Sequence, residues 1–269
     1  PIRRLLHEGR KTIDSMRTYA ATIPNATLAA QPGQDWESIA NKAFREGMHA
    51  PEPDLLQLSA TAFRLALKIC PRNEQRKIWA RLQNGLGNAL NLLERRGNGE
   101  ALSQAVDAYH NALEEYNRDE LPIEWAIAQS NLGTAFQLLG QRGDEAALRQ
   151  AIEAYQKALT VRTREALPID WALTQNNLGN ALQVLGKEDV FILMQSVEAY
   201  QSALEILSPD THASDWAGIK NNLGNALAML GEQGNRSALL QATAAYGDAL
   251  EIHTRDKHPV DWAVTQNNL

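Results

Sequence analysis

The sequence has little of what would mark it as secreted, membrane-spanning or metal-binding. Its 269 residues contain one cysteine, Cys70, so no disulfide can form within the chain. The longest apolar runs have five residues, as at 190–194, whereas a helix needs about 20 to cross a bilayer. Because a single thiol and the absence of a signal-peptide pattern fit a reducing compartment, we predict a cytoplasmic protein.

Acidic residues also outnumber basic ones, 32 to 26. The net charge is −6 and the pI is about 5.6, which argues against nucleic acid and against an anionic membrane surface as partners. The six histidines and Cys70 show no metal-ligand spacing, and the glycines form no phosphate-binding loop. We therefore predict no enzymatic activity, no metal and no cofactor.

What the sequence has in abundance is repetition. Tryptophan recurs at intervals of 46, 46, 45 and 46 residues, at Trp79, Trp125, Trp171, Trp216 and Trp262. A glycine and a tyrosine keep the same steps, at Gly87, Gly133, Gly179 and Gly224 and at Tyr109, Tyr155, Tyr200 and Tyr246. A fixed period of this size indicates a solenoid of stacked units.

Each unit is predicted to be a pair of helices. In the unit that follows Pro168, Asp170 is expected to cap the first helix, whose apolar residues recur at helical spacing up to Gly186. The second helix is predicted over 192–207. A glycine inside a helix costs about 1 kcal/mol relative to alanine, so its recurrence indicates close approach of another helix.

The repeated motifs resemble the tetratricopeptide repeat. The first helix carries N-L-G-x-A-L, and the second carries A-x-x-x-Y-x-x-A at Ala105-Tyr109-Ala112 and Ala151-Tyr155-Ala158. In the unit of Tyr200, Ser196 stands in place of the first alanine. In the unit of Tyr246, Ala242 or Thr243 serves as the first residue of the motif. The resemblance implies an all-α fold, a right-handed α-solenoid of antiparallel helix pairs. At 45–46 residues the units are longer than the common 34 and resemble repeats of large multidomain bacterial proteins.

The repeats also suggest a domain organisation. We predict a solenoid over 35–269, with a degenerate repeat at 35–78, full repeats at 79–124, 125–170, 171–215 and 216–261, and a truncated repeat at 262–269. Residues 1–34 are predicted to be a helix and linker, either a cap or the remnant of a preceding domain. We expect the chain to be a piece of a longer protein, because its last motif stops where the earlier copies continue.

The resemblance implies that the first helices line a concave groove. The residues three before and one after each motif glycine would face it: Asn84 and Asn88, Ser130 and Thr134, Asn176 and Asn180, Asn221 and Asn225. An asparagine amide offers a donor and an acceptor, which suits the main chain of an extended peptide. The alternative is that these amides bridge adjacent helices, a role for which Asn131, Asn177, Asn222 and Asn268 are better candidates.

One unit departs from the others at Val190, Phe191 and Ile192, which stand where the preceding unit has Glu145, Ala146 and Ala147. Two accounts are open: local packing at a shortened turn, or a hydrophobic patch for a partner or a second copy of the chain.

Three functions follow from these observations. The first is a non-catalytic scaffold that binds a protein or peptide partner through the asparagines. The second, implied by the resemblance, is a regulatory or self-assembly segment of a larger enzyme, such as a caspase-like protease or a nucleotide switch. The third is an architectural spacer with an empty groove.

Overall fold

The computed structural model of the protein describes residues 32–49, 54–95 and 101–269, and within these ranges every regular element is a helix. The eleven helices of the described ranges are α1 (Pro32–His49), α2 (Asp54–Ile69), α3 (Arg76–Arg95), α4 (Ala101–Glu115), α5 (Pro122–Gly140), α6 (Glu145–Leu159), α7 (Pro168–Leu185), α8 (Val190–Leu204), α9 (Ala213–Glu232), α10 (Arg236–Ile252) and α11 (Pro259–Asn268). The chain is an all-α solenoid of consecutive helix pairs, as predicted.

The chain divides into two compact units, residues 1–135 and 136–269. In the first unit α1 packs on α2, α2 on α3 and α3 on α4. In the second unit each helix from α6 to α11 packs on the next one along the chain. None of the described helices is long and apolar enough to cross a membrane. The predicted helix within 1–20 lies outside the described residues.

Among the first helices, α5, α7 and α11 each begin at a proline, whereas α3 and α9 begin at Arg76 and Ala213. Leu167 is the N-cap of α7 and Pro168 occupies the first turn, so the predicted cap at Asp170 is wrong. Proline suits this position because its missing N–H would have had no helical partner and its φ is already helical. The helix ends at Leu185 and Gly186 is its C-cap, as the sequence predicts.

The second helix is shifted from its predicted range. α8 spans Val190–Leu204 instead of 192–207, because the Asp189 side chain accepts hydrogen bonds from the backbone N–H groups of Phe191 and Ile192. This cap satisfies donors that would otherwise lack partners at the helix start. Leu207 follows the helix but is fully buried.

The motif glycines allow the second helix to come close. A Cβ added at Gly179 would lie 2.7 Å from Cε1 of Tyr200, and one at Gly224 would lie 2.5 Å from Cε1 of Tyr246. Gly87 has the same relation to Tyr109, at 2.5 Å. At these three positions the glycine leaves room for the tyrosine ring, which lies directly on the helix backbone.

Each unit has its own apolar core. In the second unit the buried cluster runs from Ala172 to Tyr246 and includes Leu193, Leu207 and Leu230. In the first unit, Tyr116 packs with three alanines, Ala80, Ala112 and Ala128.

Candidate functional site

Asparagines recur at equivalent positions of the first helices, and we call this set the amide row: Asn84 and Asn88 in the first unit, and Asn176, Asn180, Asn221 and Asn225 in the second. All six are half-buried. The structure assigns their side-chain oxygens to hydrogen bonds within the protein, and the pattern differs between the two positions of each pair.

The asparagine that follows the motif glycine accepts a hydrogen bond from the tyrosine hydroxyl of the second helix. The Tyr200 hydroxyl donates to Oδ1 of Asn180 at 2.7 Å and also lies 2.8 Å from Oε1 of Gln183. Tyr246 donates to Asn225 at 2.8 Å. Tyr109 donates to Asn88 at 2.8 Å in the first unit. These bonds fasten the two helices of one repeat and satisfy a hydroxyl on an otherwise buried ring.

The asparagine three residues before the motif glycine accepts a hydrogen bond from an asparagine of the next repeat. Within the second unit, Nδ2 of Asn222 donates to Oδ1 of Asn176 at 3.3 Å, and Nδ2 of Asn268 donates to Oδ1 of Asn221 at 3.2 Å. In the first unit, Asn131 donates to Asn84 in the same way at 3.2 Å. Asn131, Asn222 and Asn268 therefore bridge successive repeats.

These bonds use the oxygens of the amide row and leave its nitrogens. For the six side chains, the structure shows no hydrogen bond from Nδ2 to any described residue. Each neutral amide carries two N–H donors on that nitrogen. Each oxygen already accepts one bond, so the unused capacity of the row is mainly that of donors, whereas the sequence predicted donors and acceptors equally.

The repeat between Asn88 and Asn176 has no amide at either position. Ser130 is buried, with 6% of its surface exposed, so it differs from the predicted surface position. The Thr134 hydroxyl donates to the backbone carbonyl of Ser130 at 3.1 Å. Here the tyrosine finds another acceptor, because Tyr155 donates to Oε1 of Gln137 at 2.9 Å in the second unit.

The cations near the amide row are already neutralised. The Arg81 guanidinium donates twice to the Glu37 carboxylate, at 2.5 and 2.8 Å. That hydrogen-bonded pairing raises the pKa of Arg81. Lys220 lies 2.7 Å from Oδ2 of Asp248. Neither side chain is left to hold the terminal carboxylate of a peptide.

Each recurrent tryptophan is half-buried beneath a cation, a feature that the sequence analysis missed. Arg72 lies 4.6 Å from the ring centroid of Trp79, and Arg164 lies 6.0 Å from that of Trp171. Arg118 and Arg255 repeat the arrangement over Trp125 and Trp262. The arginine stands seven residues before the tryptophan in all four cases, so the spacing could have revealed it. At Trp216, where Pro209 takes that place, Lys220 lies 5.2 Å from the ring.

The three residues Val190, Phe191 and Ile192 do not behave alike. Val190 is 46% exposed and Phe191 is 69% exposed. Ile192 is half-buried against Gly186, where an added Cβ would lie 2.9 Å from its Cγ2. Met194, at 57% exposure, extends the exposed part. We call Val190, Phe191 and Met194 the α8 patch.

No group of three or more histidine, cysteine and acidic side chains within the described residues is arranged to hold a metal ion. The Cys70 thiol is buried, which raises its pKa, and it lies 3.6 Å from Oε1 of Gln75.

Comparisons with known proteins identify the fold of the chain but assign it to no family. The sequence matches no protein-family model and no curated protein. Among solved structures, the chain is similar to the MamA protein, with a TM-score of 0.53, 16% identity, and coverage of 83% of this chain and 93% of MamA. It is also similar to BtubC (BKLC) from P. vanneervenii, with a TM-score of 0.51, 18% identity, and coverage of 82% and 92%. These similarities identify the chain as a helical-repeat protein.

Proposed function

We propose that the chain is a non-catalytic protein-interaction scaffold, and that the asparagines of the amide row in its second unit, Asn176, Asn180, Asn221 and Asn225, bind an extended peptide through the carbonyl oxygens of the peptide. The observation that carries this proposal is the hydrogen-bond pattern of Asn180 and its equivalents. Their oxygens accept hydrogen bonds within the fold, and their nitrogens donate to no described residue, which leaves these donors for a ligand.

The contribution of each amide is small. A neutral hydrogen bond adds about 1 kcal/mol net, so binding requires several positions acting together. Main-chain recognition of this kind places few demands on the side chains of the ligand. Because Arg81 and Lys220 are already paired with carboxylates, an internal peptide segment is a better ligand than a C-terminal carboxylate.

The proposal can be tested without unfolding the repeat. The double variant Asn180→Asp and Asn225→Asp keeps an oxygen for each tyrosine and replaces each donor by a charged acceptor. A peptide selected on the parent chain from a random display library should bind this variant at least about tenfold more weakly. Alanine at these positions is a poorer choice, because it also removes the partner of Tyr200 or Tyr246.

A matched control carries the same added charge elsewhere. Asn73 and Gln141 are exposed in turns, and the double variant Asn73→Asp and Gln141→Glu should bind the peptide as the parent does. Equal loss in both double variants would assign the effect to net charge and contradict the proposal. Failure of the library to yield any peptide would favour the architectural spacer.

A second function rests on the α8 patch. Phe191, Val190 and Met194 expose apolar surface within one turn of a helix, and Leu240 at the corresponding site of α10 is 77% exposed. Exposed apolar surface of this kind supports association with a further protein surface. We propose self-association of the chain through the α8 patch.

A further inference from the structure

The face of the first helices that carries the amide row also carries a row of aliphatic side chains, and this row has a gap. In the second unit, Leu173 and Val264 each stand three residues before an asparagine, and Gly218 stands at the same place on α9. Residues three and four apart lie on one face of a helix, so Gly218 shares a face with Asn221 and Asn222. The middle repeat therefore lacks the aliphatic side chain that its neighbours carry.

The surroundings of Gly218 are aliphatic and open. The asparagine bridges of the second unit join α7 to α9 and α9 to α11, and one turn before each bridge the same alignment places Gly218 between Leu173 and Val264. Leu173 is half-buried and packs against the core, whereas Val264 is 49% exposed. A Cβ added at Gly218 would meet no atom within 4 Å. The gap thus has an aliphatic side chain on either side and room for another between them.

The charge beside the gap is negative. Asp215 stands three residues before Gly218 and is exposed. In the preceding repeat the equivalent Asp170 lies 3.6 Å from the Arg162 guanidinium, but Leu207 takes the place of that arginine in the repeat of Asp215. The Asp215 carboxylate forms no ion pair in the part of the chain that the structure describes. It is therefore free to attract a cation of a ligand that lies over the gap.

We propose that the peptide bound by the second unit places a bulky aliphatic side chain in the gap at Gly218 and a lysine or arginine beside Asp215. This inference rests on the proposed peptide binding and specifies its ligand. The main chain meets the amide donors, the aliphatic side chain is buried between Leu173 and Val264, and the cation pairs with the carboxylate. An acidic residue of the ligand at this place would be repelled by Asp215.

Selection of peptides from a random display library on the parent chain tests the inference. The selected peptides should share a leucine, isoleucine or methionine with a lysine or arginine close to it. Gly218→Leu introduces the residue of the preceding repeat and fills the gap, so it should bind these peptides at least about tenfold more weakly. Gly247→Leu is the matched control, because this glycine of α10 is also exposed and also has no atom within 4 Å of an added Cβ. The control should bind the peptides as the parent does.

Two further changes separate a filled gap from a general obstruction. Replacing the aliphatic residue of the peptide by alanine should weaken binding to the parent about tenfold and leave binding to Gly218→Leu unchanged, because that variant has no gap to fill. Asp215→Asn should weaken binding of the basic peptide about two- to fivefold, and the difference should disappear at high salt.

The outcomes distinguish this inference from the proposed function. Peptides that lose affinity when Asn180 and Asn225 become aspartate, but bind Gly218→Leu as they bind the parent, overturn the inference and leave the proposed function in place. Selected peptides that lack the shared aliphatic and basic residues also overturn it. A library that yields no peptide overturns both.

Discussion

At the scale of single residues, the repeat depends on the contacts among three residues, a glycine, a tyrosine and an asparagine. The ring of Tyr200 lies on Gly179, and its hydroxyl reaches Asn180. The ring is fully buried, and this burial raises the pKa of its hydroxyl. The glycine makes room, the ring supplies apolar area, and the amide satisfies the one polar atom of the ring.

Gly179→Ala should destabilise the protein. The added Cβ would lie 2.7 Å from the Tyr200 ring, and such overpacking costs about 1–3 kcal/mol, more than the helix gains from alanine. Gly218→Ala is the matched control, because no atom lies within 4 Å of its added Cβ. The control should gain up to about 1 kcal/mol in the free energy of unfolding, measured by urea denaturation. Equal effects of the two changes would contradict this account.

Tyr200→Phe isolates the hydroxyl from the ring. The variant keeps the packing on Gly179 but loses the bonds to Asn180 and Gln183. We expect the free energy of unfolding to fall by about 1 kcal/mol, with a slope against denaturant equal to that of the parent. Stability at or above that of the parent would show that these bonds do not stabilise the repeat.

At the scale of elements, one position decides how a second helix meets the next first helix. It is occupied by Tyr116, Arg162, Leu207 and His253, at steps of 46, 45 and 46 residues. Arg162 donates to the Thr174 hydroxyl at 2.9 Å, and His253 lies 3.4 Å from the Thr265 hydroxyl. Leu207 belongs to the same cluster as Ile219, and Tyr116 to that of Ala128. The polar residues at this position contact a threonine, and the apolar ones pack in a cluster with an apolar residue of the next helix.

This position makes the contact between α10 and α11 sensitive to pH. Burial lowers the pKa of His253, and the nearby His258 lowers it further, while Asp261 opposes the shift. A histidine with a lowered pKa is neutral in the fold, so the unfolded chain takes up its proton first as the pH falls. The stability supplied here is therefore complete above the unfolded pKa of about 6.5 and declines below it.

His253→Leu should reduce this dependence. Leucine is the residue of the preceding repeat, and the Thr265 hydroxyl keeps its bond to the carbonyl of Asp261 at 2.8 Å. We expect the free energy of unfolding to fall less steeply below about pH 6.5 in the variant than in the parent. Denaturation curves across this pH range measure the difference, and parallel curves would exclude a role for His253.

At the scale of the whole molecule, stability is shared among many similar contacts, as expected for repeats that contact mainly their neighbours. The same tyrosine–asparagine and asparagine–asparagine bonds recur within each unit. The α8 patch, by contrast, is a departure from the repeat.

Phe191→Glu tests the α8 patch. Because Phe191 is 69% exposed, the change should alter the free energy of unfolding by no more than about 0.5 kcal/mol. Sedimentation velocity over a range of concentrations should show self-association of the parent and a monomeric variant. The same distribution of monomers and oligomers in the parent and the variant would contradict the proposal that the patch pairs two copies of the chain.

The sequence by itself determined the class of fold. A period of 45–46 residues with helical spacing inside it allows only stacked helix pairs, because an isolated pair cannot bury its apolar face. It also identified Gly179 and its equivalents as sites of close approach. It misplaced the start of α7 at Asp170, since proline and aspartate both favour a helix start and only the backbone hydrogen bonds distinguish them.

Only the tertiary structure decided what the repeated amides do. Asn176 and Asn180 look alike in the sequence, yet one accepts from the next repeat and the other from a tyrosine of its own repeat. A side-chain amide has an oxygen that accepts and a nitrogen that donates. Which of the two atoms is left for a ligand depends on partners that are about 20 or 46 residues away along the chain.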